Sequence, residues 1–164
     1  MAALHSLSLV IHLACLAVFG ASSLGGLVLD RRLWASLERG SAGEALALAQ
    51  TGMLLGRFAQ LASVLTLLTG LGMLASTGWV QWGQLWLYGK IVLFFALAGY
   101  GGAVGGRAGR RLVAALTRQA SSAPAAGAKP IDGELAGLRS TFATFHVVMP
   151  LMLLGVLVLV VVRP

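Results

Sequence analysis

Four ionisable side chains stand inside or at the edge of long apolar stretches: His12, Arg57, Lys90 and His146. Burying such a group in hydrocarbon costs roughly 2.5 kcal/mol or more, so each marks a candidate site facing the protein interior. Around His12 the first stretch carries a polar stripe. Stepping at about 100° per residue, His5, Ser8, His12, Cys15, Ser22, Ser23 and Gly26 fall within one arc of roughly 100°, with Ser6 the exception. An imidazole in such a stripe either contributes to a ligand site or bonds a Ser or Thr hydroxyl on a neighbouring helix.

Depth decides which of these groups can meet. His12 lies eight residues from Leu4 and Lys90 six from Gln84, which is roughly 12 and 9 Å of helix. At that shared level the two can converge on one ligand between the first and third spans. Lys90 can equally snorkel toward headgroups beside Trp86. His146 approaches from the opposite face, about five residues past Thr141 and roughly 10 Å from the level of His12, so joint coordination by the two imidazoles requires tilt. Arg57 reads as an interfacial or snorkelling arginine. His12 and Cys15, with Met149 and Met152, are soft donors suited to copper, although no His or Met cluster accompanies them. A Ser/His/Asp triad, paired carboxylates, a phosphate loop and zinc spacing are all missing, and all five acidic residues read as loop residues.

The elements that must position these groups follow from composition. Of 164 residues, 58% are hydrophobic and 10% charged, outside the range of a water-soluble domain. Four largely uncharged windows, approximately 4–29, 53–75, 85–105 and 142–162, are each long enough to cross about 30 Å of hydrocarbon. The expected fold is all-α: one integral membrane four-helix bundle covering 1–164. The net charge of +7 points to the bilayer rather than nucleic acid, because the basic residues lie between spans. Arg31, Arg32 and Arg39 follow the first span, and Arg107, Arg110, Arg111, Arg118, Lys129 and Arg139 lie between the third and fourth. By the positive-inside rule both long loops are cytoplasmic and both termini are on the outer, periplasmic side of a bacterial inner membrane. Trp79, Trp82 and Trp86 then form an outer aromatic belt.

Finer signals place the ends. Ser41 and Glu44 form a capping box, predicting that the second helix starts outside the membrane. Residues 119–131 read as a flexible cytoplasmic linker. Asp132 is placed to cap the fourth helix, in which Pro150 predicts a kink. Cys15 is alone, which excludes an intramolecular disulfide. No basic residue opens the N-terminus, so the first span reads as a retained helix rather than a signal peptide. Gly101/Gly105 and Gly102/Gly106 are small-xxx-small pairs, suited to packing within the bundle or to a homodimer through the third helix.

With these residues in view, the chain resembles the HemJ-type membrane proteins, four-helix protoporphyrinogen IX oxidases related to the CopD-like membrane domain. The similarity covers most of the chain outside the long loops. It rests on His12 followed by small residues at 20–26, on 66–74 (TLLTGLGML), on Gly78 and Trp79, and on 86–90 (WLYGK) with Leu93 and Tyr100. It continues through Arg139, Phe145, Pro150 and the ending 160–164 (VVVRP). The resemblance implies haem b, oxidation of protoporphyrinogen IX to protoporphyrin IX in haem biosynthesis, and quinone as electron acceptor. His12 then matches the family's essential histidine, as axial ligand of the metal, and Lys90 its essential lysine, as second ligand or propionate partner. His146 and Arg57 are further cofactor-binding candidates. The chain departs from the family at 27–32 (LVLDRR), where an aromatic, Pro- and Arg-rich stretch with another histidine is usual. It departs again at Val147 and Val148, where an Asn-Glu pair is usual. The second departure removes a buried carboxylate able to accept a proton. The alternative is a non-catalytic CopD-like protein or an accessory subunit of a larger membrane complex.

Overall fold

The computed structural model describes residues 2–79, 81–121 and 133–161. Without water to satisfy backbone polar groups, an apolar chain in a bilayer closes its hydrogen bonds within helices, and helix is what these residues form. α1 runs Ala2–Glu38, α2 Ala42–Ser76, α3 Leu85–Tyr100, α4 Gly106–Ser121 and α5 Gly133–Val161. A π-helical turn, Gly101–Gly105, joins α3 to α4, so these two make a single rod. The four rods are each long and apolar enough to cross a membrane, and the bundle is the expected all-α four-span architecture.

Side-chain pairs give the layout. His5 meets Ser76 and His12 meets Thr69, so α1 and α2 are antiparallel. Gly89 meets Leu159 and Gly105 meets Phe145, so α3 and α5 are antiparallel as well. α2 also faces α4, and α5 touches α1 and α4. The start of α1, the end of α5 and the Trp-bearing connection therefore share one end, and the arginines gather at the other, the basic end.

The rods are longer than the bilayer. α1 has 37 residues, about 55 Å at 1.5 Å each, against a hydrocarbon core of about 30 Å. The expected loop between the first two spans is thus mostly helix, closed by a tight turn at Gly40 (φ +78°). Gly40 N–H donates to the Leu37 carbonyl at 2.9 Å and Ser41 N–H to that of Ser36 at 2.9 Å, the reciprocal pattern of a Schellman stop. The capping box does not form. Ser41, at φ −94° and ψ 72°, makes no side-chain cap bond, being off the extended backbone a capping side chain uses. Glu44 instead pairs with Arg39 at 3.2 Å. α2 ends on a second such stop at Gly78 and Trp79. The linker expected at 119–131 is helical as far as Ser121; its remainder, the Asp132 cap and the end of the VVVRP motif lie outside the described residues. Pro150 sits within α5.

The tightest core lies at the basic end. Leu33, Trp34 and Leu37 of α1, Ala45 and Ala49 of α2, Leu112 and Leu116 of α4, and Leu135 and Leu138 of α5 are all buried. α4 packs its leucines inward and leaves Arg107, Arg110, Arg111 and Arg118 exposed. Arg139 donates to Glu38 at 2.9 Å and lies over the Trp34 ring, while Arg118 donates to Glu134 at 3.1 Å. Within the spans, large apolar side chains such as Val10, Leu24 and Val92 are 64 to 69% exposed, the lipid-facing surface such a bundle needs. At the far end Trp79, Trp82 and Tyr88 stack edge to face with centroids 5.6 and 5.8 Å apart, as an interfacial belt requires.

Candidate functional site

Between the four rods, toward the basic end, lies a cavity of about 430 Å³, within the roughly 300–1,000 Å³ typical of small-molecule sites. Its walls are mostly apolar or glycine. Gly26 of α1, Gly52 and Gly56 of α2 and the run from Gly101 to Gly109 supply backbone surface where side chains would otherwise fill the space. The polar groups on it are few and mixed in charge: Asp30, Arg57, Gln60, Arg110 and His146, with Ser22, Ser23 and Ser63.

His146 is held by aromatic packing. Its ring stacks on Phe142 (centroids 6.2 Å, planes 27° apart) and meets the edge of Phe145 at 5.5 Å. Its ring nitrogens have no hydrogen-bond partner among the described residues, so they are available to a ligand. Phe145 is fixed in turn by the glycine run, since a methyl on Gly105 would lie 2.8 Å from its ring. Asp30 accepts a bond from Trp34 Nε1 at 2.8 Å and lines the same cavity as His146.

The sequence-based candidates fall into two places. Arg57 and His146 line the cavity; His12 and Lys90 do not. His12 Nδ1 shares a hydrogen bond with Thr69 Oγ1 at 3.0 Å, and its Cε1 packs over Gly70. His5 does the same with Ser76 at 2.9 Å. The polar stripe of α1 is real but divided: His5, Ser8 and His12 face α2, whereas Ser22, Ser23 and Gly26 face the cavity. Lys90 Nζ lies 4.3 Å from the Trp86 ring centroid, near enough to His12 for its charge to act there. His146 packs against Gly26, fourteen residues along α1 from His12, or about 21 Å. The 10 Å separation expected from sequence is therefore too short, because α1 and α5 overrun the bilayer, and no single metal ion spans both imidazoles. Among the described residues no three His, Cys, Asp or Glu side chains gather as a metal site, and Cys15 is buried and alone.

Two cavity residues escape the sequence reading. Asp30 reads as a loop acid, yet α1 continues through it to Glu38. Its spacing of four from Trp34 was the available signal, since i, i+4 places the indole N–H over the carboxylate. Arg110 reads as one of many loop arginines, yet the π turn carries the third rod onward and brings it to the wall. Together these features define a class: a multi-pass α-helical membrane protein with a polar-studded internal cavity. No family model, curated protein or solved structure matches this chain.

Proposed function

We propose that this protein binds one carboxylate-bearing tetrapyrrole, haem b or a protoporphyrin, in the cavity at the basic end, and that it sits in a bacterial inner membrane with that end in the cytoplasm. The observation that carries the reading is the donor set on one apolar, glycine-walled cavity: an unbonded imidazole from His146 and two guanidinium groups from Arg57 and Arg110. An imidazole suits haem iron, and guanidinium forks match the two propionates of such a macrocycle. His146 would hold the iron and the two arginines the propionates. Haem b, when bound, would supply electron transfer toward a membrane quinone. If the resemblance to protoporphyrinogen IX oxidases extends to activity, the bound tetrapyrrole is the porphyrinogen in place of haem. Asp30 and His146 are then the cavity groups able to take its protons, Asp30 standing in for the carboxylate missing at 147–148, while its electrons pass to a membrane quinone.

The same resemblance assigns the ligand role to His12 and Lys90, and absorbance separates the two assignments. Purified protein supplied with haem is expected to show a Soret band that His146→Ala removes and His12→Ala retains. Loss in His12→Ala alone places the haem at the family's histidine instead, and no band in the wild type with haem or protoporphyrin rejects the tetrapyrrole reading. Complementation of a strain lacking protoporphyrinogen oxidase tests turnover.

A second reading, a non-catalytic membrane protein or accessory subunit, is favoured by one observation. Both histidines of the first span are engaged in bonds to α2 hydroxyls, which is what a purely structural stripe does. A colourless protein that co-purifies with larger partners is its expected result.

A further inference from the structure

Arg57 and Arg110 each face two spaces. They line the internal cavity, and they also line an open groove of about 480 Å³ on the outside of the bundle between α2 and α4, with Gln50, Leu54, Val113 and Ala114. Met53 is the third residue common to both. Its sulfur sits over Gly109, 2.6 Å from where a methyl on that glycine would be. Met53 is thus the one uncharged side chain, unbranched and adaptable, that the cavity and the outer groove share.

Two other seams are closed differently. α1 and α2 are bonded through His5–Ser76 and His12–Thr69. α3 and α5 interlock through Leu93 on Gly155, Met149 on Gly101 and Phe145 on Gly105. Arg39, Arg118 and Arg139 pair with glutamates, whereas Arg57 and Arg110, like Arg31, Arg32, Arg107 and Arg111, are in no ion pair among the described residues; of these, Arg57 and Arg110 are the two that line both spaces. A guanidinium drawn toward hydrocarbon without an anion is costly, and a carboxylate taken up bidentately offsets that cost.

We propose that the seam between α2 and α4 is a lateral portal, framed by Arg57 and Arg110 and stoppered by Met53, through which an amphiphilic carboxylic acid passes between the membrane and the internal cavity. The macrocycle as the particular cargo rests on the function proposed above; the portal itself requires only an acid head on an apolar body. The arginines meet the head at the membrane boundary and stay with it inside, so the ligand never trades a paired carboxylate for an unpaired one.

The test follows binding in nanodiscs by stopped-flow fluorescence, using protoporphyrin IX, its dimethyl ester and oleate as probes. Ala114→Trp fills the outer groove from a position that does not itself line the cavity. It is expected to slow association and dissociation of the acid together by about tenfold, with Kd changed less than roughly twofold. The double variant R57Q/R110Q is expected to weaken protoporphyrin IX by about tenfold or more and leave the diester unchanged. Equal binding of acid and diester by the wild type overturns the portal, as do unaltered rates in Ala114→Trp. Phosphatidylglycerol in the discs that displaces the acid while Ala114→Trp leaves the rates unaltered identifies a fixed lipid-headgroup site and overturns it too. If neither porphyrin binds but oleate binds with the rate signature of Ala114→Trp, the portal stands and the tetrapyrrole reading falls. If oleate also fails, both fall.

Discussion

His12 and His146 show how the same residue type in the same solvent acquires different work. An imidazole in hydrocarbon needs a partner for each polar nitrogen, and Thr69 gives His12 one at 3.0 Å. His146 has aromatic neighbours instead, which hold the ring at the cavity wall with no hydrogen-bond partner for its nitrogens among the described residues. Interhelical bonds of the first kind contribute about 0.6 kcal/mol on average and up to roughly 2. His12→Ala and Thr69→Val are therefore each expected to lower resistance to unfolding in detergent by about 1 kcal/mol, the double variant losing no more than the worse single one. Strict additivity would show that the two side chains do not act on each other. Both roles were open in the sequence, since a histidine amid Ser and Thr is consistent with either, and the azimuth of the partner helix decides.

At the scale of elements, the glycine run is the feature with the most consequences. Gly101 and Gly105 accept Met149 and Phe145 from α5, so one small-xxx-small pair is used inside the bundle. A methyl at Gly105 would strike the Phe145 ring, whereas one at Gly102 meets nothing within 4 Å. Gly105→Ala is accordingly expected to destabilise by about 1–3 kcal/mol and to be partly rescued by Phe145→Leu. Gly102→Ala should be neutral or slightly stabilising, a helical alanine being favoured over glycine by up to about 1 kcal/mol. Thermal unfolding in one detergent compares all three variants, and equal losses at the two glycines would contradict the packing described. The small-residue spacing was visible in the sequence. The π turn was not, because an extra residue in a helical turn changes which face later residues present without altering local composition.

For the whole molecule, the helices act as levers whose rigid ends lie outside the hydrocarbon. The buried leucines of the basic end hold the four rods together beside the cavity, which Leu33 and Leu112 also line. Leu116→Ala, at a position with 0% exposure, is expected to cost about 2–5 kcal/mol. Glu38→Gln should cost under about 1 kcal/mol, because its ion pair with Arg139 is half exposed. Chemical denaturation monitored by tryptophan fluorescence reads both, and a larger loss from Glu38→Gln would reverse that order. Sidedness is checked on a Cys15→Ala background. A cysteine replacing Gln81 is expected to react with an impermeant maleimide in intact cells, and one replacing Arg118 only after lysis. The opposite pattern inverts the topology drawn from the arginines.

The four spans, their alternation and the basic end were written in the chain, because hydrophobicity over about 20 residues and the placement of arginine are properties of a segment and its solvent. Where α1 stops was not, since a helix leaving the membrane keeps its backbone hydrogen bonds while its apolar signal fades, and Asp30 looked like a loop acid for that reason. The location of the cavity was decided only by tertiary structure. It depends on the rotation and axial shift of one rod against another, which bring Gly26 opposite His146 and Gly109 opposite Met53, and no single helix carries that information.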